Sequence, residues 1–205
     1  MNERDATVFL VDDDAAVRDS LSLLIESVGL VAKAYASAEA FLADLGPEAH
    51  GCVVLDLHMP GMGGIRLQEE MARRGIRLPI IFLTGYGDIP TSVKAIKTGA
   101  VDFLTKPVAG EVLASAIASA LALDEQQRAD GDRNSSAAAR LASLTEREQE
   151  VMTMAIEGLC NKEIAKRLGI SHRTVEIHKA HVMKKTGAAN LIELTRIARD
   201  AGFGE

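Results

Sequence analysis

Five short apolar runs, interleaved with segments of helical periodicity, constrain this chain more than any other feature. The runs are Thr7–Val11, Val31–Tyr35, Cys52–Leu55, Ile80–Leu83 and Val101–Leu104. Ala15–Val28 sets Val17, Leu21, Leu24, Ile25 and Val28 on one stripe of a helix. Ser37 is placed to cap a helix through Leu45, and Gly63–Arg74, Thr91–Thr98 and Ala109–Leu123 read as further helices. Gly29, Gly46, Gly75 and Gly99 are expected as left-handed helix ends. Such strand–helix alternation implies a parallel sheet covered by helices on both faces. Right-handed crossovers leave few topologies, and the flavodoxin-like (βα)5 order 2-1-3-4-5 is the one expected here.

The pattern stops after residue 123. Residues 124–143 include Ala129-Asp-Gly-Asp-Arg-Asn-Ser-Ser136, which is polar, lacks an apolar stripe and reads as a linker whose first residues extend the preceding helix. From Leu144 the chain reads as all helical. Thr145 with Glu148 is a capping box for a helix to about Glu157. Asn161 is expected to cap a short helix to Leu168, Ser171 one to about Thr186, and Asn190 with Glu193 one to about Ala201. The expected organisation is therefore an α/β domain over 1–123, a linker over 124–143 and an all-α four-helix unit over 144–205.

Charge narrows the function classes. Net charge is −6, yet Leu159–Gly187 holds seven bases against two acids. A local basic patch in an acidic chain points to a nucleic-acid surface. No apolar run approaches the roughly 20 residues that span a bilayer, and Met1–Asp5 lacks the apolar core of a signal peptide. Cys52 and Cys160 are too few for a disulfide framework or a cysteine-rich zinc site, and a reducing cytoplasm is expected.

The chemistry sits where the apolar runs end. Asp12 and Asp13 follow the first run, Asp56 the third, Thr84 the fourth and Lys106-Pro107 the fifth. In a parallel sheet the carboxyl ends of the strands open onto one edge, where ligands bind. Three carboxylates, a hydroxyl and an ammonium would converge there. Mg²⁺ takes oxygen ligands and keeps several waters, so one or two carboxylates suffice to hold it. Asp56 would then attack phosphorus to form an acyl phosphate, while Thr84 and Lys106 engage phosphoryl oxygens. Lys106-Pro107 is expected as a cis peptide that aims the lysine.

These residues resemble the receiver domain of bacterial two-component response regulators. The matching segments are Val11-Asp-Asp-Asp14, Leu55-Asp-Leu-His-Met-Pro-Gly61, Leu83-Thr-Gly85 and Gly99-Ala-Val-Asp-Phe-Leu-Thr-Lys-Pro107. The resemblance implies Asp56 as phosphoacceptor for a sensor histidine kinase. It implies Mg²⁺ held by Asp13, Asp56 and the backbone carbonyl of His58, with Asp12 acting through water. Thr84 and Lys106 would follow the phosphoryl group and Phe103 would rotate inward. The chain would be a phosphoacceptor with slow self-dephosphorylation rather than an enzyme. Relatives dimerise through a face that here carries Val93, Lys94, Ile96, Lys97 and Asp102.

The C-terminal segment is similar to the LuxR-type helix-turn-helix over about residues 144–204. It carries Leu144-Thr-Glu-Arg-Glu148, Asn161-Lys-Glu-Ile-Ala165, Thr174-Val175, His178, Val182 and Lys185. With the receiver, this resembles the FixJ type of the NarL group, whose marks also include Ser37-Ala-Glu-Ala-Phe-Leu42 and Gly85-Tyr-Gly-Asp88. Promoter DNA is the implied partner, with homodimerisation on phosphorylation and RNA polymerase as a further partner. In Ser171–Thr186 the residues Val175, His178 and Val182 would face the bundle. Arg173, Ile177, Ala180 and Lys184 form the opposite face, suited to the major groove, with Thr174 and Glu176 beside it. Lys162, Lys166, Lys179 and Lys185 are expected as phosphate contacts. Two other classes fit fewer residues. A Mg²⁺-dependent phosphohydrolase would need a substrate pocket and a general acid near Asp56. A pure interaction protein would leave the basic face unused.

Overall fold

The computed structural model describes residues 6–85 and 100–203. The expected helix Thr91–Thr98 lies outside the described residues. So do Val93, Lys94, Ile96 and Lys97 of the expected dimer face, Gly99, and Tyr86 to Asp88 of the Gly85 motif. The chain divides into two compact units, one ending at Gln127 and one beginning at Arg128.

In the first unit β1 (Thr7–Val11), α1 (Ala15–Ser27), β2 (Val31–Tyr35), α2 (Ala38–Asp44), β3 (Gly51–Asp56), α3 (Gly64–Arg73), β4 (Ile80–Thr84) and β5 (Asp102–Thr105) follow in order. The five strands are all parallel and ordered β2-β1-β3-β4-β5, as the strand–helix alternation predicts. Strand alternation sorts the core into two clusters. Phe9, Val11, Val53, Leu55 and Phe82 face Phe41 of α2 with Leu67 and Met71 of α3. Val8, Leu10, Cys52, Val54, Ile81 and Leu83 face Leu21 and Ile25 of α1, with Leu113 and Ile117 further along the chain. Every residue of β3 is buried. A fully apolar strand flanked by helices on both faces has no solvent side, which is why Cys52–Leu55 shows no alternation. The cores are aliphatic around a few rings, with Phe9 and Tyr35 each packing edge-on against Phe41. Gly29 and Gly75 hold positive φ at helix ends, whereas Gly46 does not; α2 ends one residue earlier, on the extended Leu45.

The stretch expected as a linker is helical rather than irregular. A single helix, α4, runs from Gly110 to Ala142. Gly131 costs about 1 kcal/mol against alanine in a helix, and Asp, Asn and Ser around it are weak formers. Both ends of α4 are nonetheless packed. Leu113, Ala116, Ile117 and Ala120 join the sheet core, while Ala137 and Leu141 join the core of the second unit. A helix fixed at both ends carries its exposed middle along, assisted by the Asp130–Arg133 pair at 3.2 Å. Tertiary packing overrides propensity there.

The second unit adds α5 (Glu146–Ile156), α6 (Asn161–Leu168), α7 (His172–Thr186) and α8 (Leu191–Asp200). Thr145 and Glu148 form the expected capping box. Ser171 and Asn190 cap α7 and α8 through their side chains. Asn161 does not cap α6. It is the first helical residue, and Cys160 is the N-cap, its N–H donating to Glu163 at 2.7 Å. Met152, Val182, Leu194 and Ile197 fill one core, and Val151, Ala155, Ile164 and Val175 a second. Among the described residues no helix is long and apolar enough to cross a membrane.

Candidate functional site

The parallel register delivers the strand ends to one edge. Asp12 follows β1, Asp56 ends β3, Thr84 ends β4 and Lys106 follows β5. One ligand oxygen from each of Asp12, Asp13 and Asp56 falls within 4.8 Å of the others. Asp12 and Thr84 are fully buried, Asp56 nearly so, and Asp13 is exposed. The Lys106 ammonium bridges the buried pair, at 2.5 Å from Asp12 Oδ2 and 2.9 Å from Asp56 Oδ1. The Lys106–Pro107 peptide is cis, as expected.

Electrostatics at this edge are poised. Burial pushes the Asp56 carboxyl above its ordinary value and Asp12 adds to the rise; the Lys106 hydrogen bond and charge, and the His58 N–H, act the other way. Burial works against the Lys106 charge, but its hydrogen bonds to Asp12 and Asp56 hold the ammonium above its ordinary value. An under-solvated carboxylate favours any partner that neutralises it, whether a cation or a covalent acyl bond. Hard oxygen ligands in this number suit a small divalent cation.

Three supports were not foreseen. Asp14 is no part of the cluster: its side chain accepts the Ala16 N–H at 2.8 Å and caps α1. Its position just before a helical stripe is the signal that would have found it. Arg18 donates from one nitrogen to the carbonyls of Asp12 and Asp13, at 2.8 and 2.9 Å, and so pins the loop that carries both acids. Gly64, at the start of α3, lets that helix approach Asp56; a Cβ there would lie 2.6 Å from the Asp56 carbonyl oxygen. His58 is exposed in the turn between them. Phe103 is half-buried on β5, its ring centroid 6.2 Å from that of Phe82.

In the second unit α7 has the two faces expected of it. Val175 and Val182 are buried, His178 is half-buried with its Nδ1 enclosed, and Arg173, Ile177, Ala180 and Lys184 are exposed. Ile177 is 48% exposed, a large apolar side chain between cations on a surface with no core to join. Glu176 is exposed and lies 3.5 Å from His172 Nδ1. Lys162 and Lys166 are exposed on α6. Other expected contacts have partners within the unit. The Thr174 hydroxyl meets Ser171 Oγ at 2.7 Å, and the Lys179 ammonium donates to Asn161 Oδ1 at 3.0 Å. Lys185, expected as a phosphate contact, is exposed but donates to the buried Glu148 at 2.6 Å and to the Ser143 carbonyl at 3.2 Å, so its ammonium is engaged with the start of α5. Lys185 lies on the flank of α7 that faces α5, and only the buried acid on α5 reveals that.

Residues 8–118 match the model of the response regulator receiver domain, and residues 142–198 that of the luxR family of bacterial regulatory proteins. The chain belongs to the response regulators. It is of the FixJ type. It is 44% identical to the response regulator protein TmoT of Ectopseudomonas mendocina, over 96% of this chain and 90% of that one. It is equally 44% identical to the transcriptional regulatory protein FixJ of Bradyrhizobium diazoefficiens, over 96% of each chain. The solved structure of the response regulator StyR superposes with a TM-score of 0.84 at 41% identity, covering 95% of this chain and 98% of that one. This response regulator thus joins a receiver to a LuxR-type DNA-binding unit and serves transcription regulation. The acidic edge lies within the receiver match, and α5 to α7 lie within the luxR-family match.

Proposed function

We propose that Asp56 accepts a phosphoryl group from the phosphohistidine of a sensor kinase. An Asp56 carboxylate oxygen forms the new O–P bond as the N–P bond breaks, and the electron pair returns to the imidazole. Asp13, Asp56 and the His58 carbonyl would hold Mg²⁺, with Asp12 reaching it through water. Bound there, the ion would neutralise charge on the phosphoryl oxygens. Lys106 neutralises another oxygen and Thr84 donates a hydrogen bond to the group. Phe103, packed against Phe82, then turns inward. The observation that carries this reading is the meeting of three carboxylates and one ammonium at the strand ends.

Residues 1–123 act as the receiver, 124–143 as the connector and 144–205 as the DNA-binding domain. Phosphorylation brings two copies together. The paired domains then bind promoter half-sites, with affinity raised through effective concentration. Arg173, Thr174, Glu176, Ile177, Ala180 and Lys184 meet the groove, and Lys162 and Lys179 meet phosphates. RNA polymerase is the downstream partner, and the cytoplasm is the setting. The protein is a stoichiometric acceptor with slow self-dephosphorylation and turns over no external substrate.

The deciding experiment labels the protein with acetyl phosphate and Mg²⁺, comparing wild type with Asp56→Asn. The variant is expected to take no label, and equal labelling overturns the assignment. Light scattering with and without beryllofluoride checks dimerisation. A monomer in both states, with unchanged DNA affinity, defeats that part of the proposal.

A further inference from the structure

The loop from β1 to α1 holds its two acids in different ways. Asp12 is tied at several points. Its N–H donates to the Tyr35 carbonyl at 3.1 Å, and its carboxylate accepts the Asp14 N–H at 3.0 Å and the Lys106 ammonium. The Asp13 carboxylate is exposed and has no hydrogen-bond partner among the described residues. Its aim at the cluster therefore depends on its main chain. Arg18, half-buried on the first turns of α1, folds back over that main chain. Its Nη1 donates to the Asp12 carbonyl at 2.8 Å and to the Asp13 carbonyl at 2.9 Å. These carbonyls belong to the two peptides that flank the Asp13 Cα, so one nitrogen fixes both planes and with them the direction of the Asp13 side chain.

We infer that Arg18 is a positioning residue for the cation site: by fixing the Asp13 main chain it raises Mg²⁺ affinity, and this gain outweighs the repulsion of its own charge. The role rests on the Mg²⁺ site proposed above. A simpler role would be to neutralise the acids. Asp12, Asp13 and Asp56 are already opposed by Lys106, and a second cation beside them competes with any ion they bind. The two roles give opposite signs. As a neutralising charge, Arg18 lowers Mg²⁺ affinity and its removal strengthens binding. As a clamp on the ligand's main chain, it removes orientations of Asp13 that binding would otherwise have to select against, and its loss weakens binding.

The test uses the full chain with Mg²⁺ as probe, read by calorimetry and by acetyl phosphate labelling at graded Mg²⁺. Loss of a group that orients a metal ligand costs about 10–100-fold in affinity, part of it offset here as a positive charge leaves, so Arg18→Met should weaken Mg²⁺ binding at least about fivefold. The Mg²⁺ needed for half-maximal labelling should rise equally, while the rate at saturating Mg²⁺ stays within about twofold, because ligation then holds Asp13 in place. A variant that merely destabilised the receiver would lower the saturated rate instead. Salt screens the charge gain and not the positional loss, so the deficit should widen from about 0.1 M to about 1 M salt. Arg18→Gln is neutral and too short to span both carbonyls, and it should show the same shift even if the methionine variant folds poorly. Asp13→Ala separates the two readings. If it leaves Mg²⁺ binding unchanged, the site is refuted and the role of Arg18 with it. If it weakens binding while both Arg18 variants bind as tightly as wild type or tighter, the positioning role alone is overturned; a deficit that vanishes at high salt overturns it as well.

Discussion

Gly64→Ala tests whether Asp56 is held where it is by the close approach of α3. The new Cβ would stand 2.6 Å from the Asp56 carbonyl oxygen and 3.1 Å from both Leu57 Cα and Phe82 Cε1. Ordinary carbon–oxygen contacts begin near 3.3 Å, so something must yield by about 0.7 Å. Phe82 is fully buried between β3 and β5, which leaves the Asp56 backbone or the start of α3 to move. Overpacking of this kind costs about 1–3 kcal/mol. The gain in helix propensity offsets under 1 kcal/mol of it, because the residue sits in the first turn. For a receiver of this size the loss lowers the melting temperature by roughly 4–10 °C. The functional effect should be larger. A 1 Å misplacement of a reacting group costs on the order of a hundredfold, so labelling by acetyl phosphate should slow roughly ten- to hundredfold. Gly46→Ala is the control, since its Cβ meets nothing within 4 Å and its φ is not positive. Labelling of Gly64→Ala within twofold of wild type, with unchanged melting, would refute the reasoning.

Asp13→Ala should weaken Mg²⁺ binding while leaving the fold intact, because Asp13 is exposed; superimposable calorimetric titrations would remove it as a ligand. On α7, Lys179→Ala should weaken DNA binding for every sequence and lower the salt slope by about 1. Ile177→Ala should instead alter base preference, by roughly 1–3 kcal/mol at one position; gel shifts showing the same behaviour for both would end the division of that helix face. The Glu148 carboxyl is drawn from its ordinary 4.5 down to about 2, first by the Lys185 hydrogen bond and then by the Thr145 N–H. A depressed acid stabilises the fold above its unfolded value and loses that contribution as pH falls through the folded one. Melts between pH 4.5 and 2 should therefore fall more steeply for wild type than for Lys185→Met, and parallel curves would contradict this.

Much of the receiver is legible because its signals are local and repeated. The fully apolar β3 and the striped α1 need no tertiary knowledge, and acids placed at strand ends converge by topology alone. Arg18 and Gly64 are not legible in the same way. Their roles depend on a carbonyl approaching a guanidinium, and on a helix approaching a strand, at distances that no spacing rule encodes. The helical state of the linker residues is hidden for the same reason. Local propensity around Gly131 points to irregular chain, while Ala137 and Leu141 find their core against residues of α5 and α8 that come later in sequence. Lys185 shows the limit for surfaces: charge and helical angle put it near the phosphates, and a buried acid on α5 claims it.

Glu148 has a consequence for how this chain tolerates sequence drift. One carboxylate closes the cap at the start of α5, receives Lys185 and lies 3.6 Å from His181, so three positions on two helices share a single group. Substitutions at Thr145, Glu148 and Lys185 should then be epistatic. Losing Lys185 first strands a buried charge, whereas losing Glu148 first makes later loss of Lys185 nearly silent. Viable lineages would exchange the acid before its basic partner, and the order of replacement would be directional rather than free.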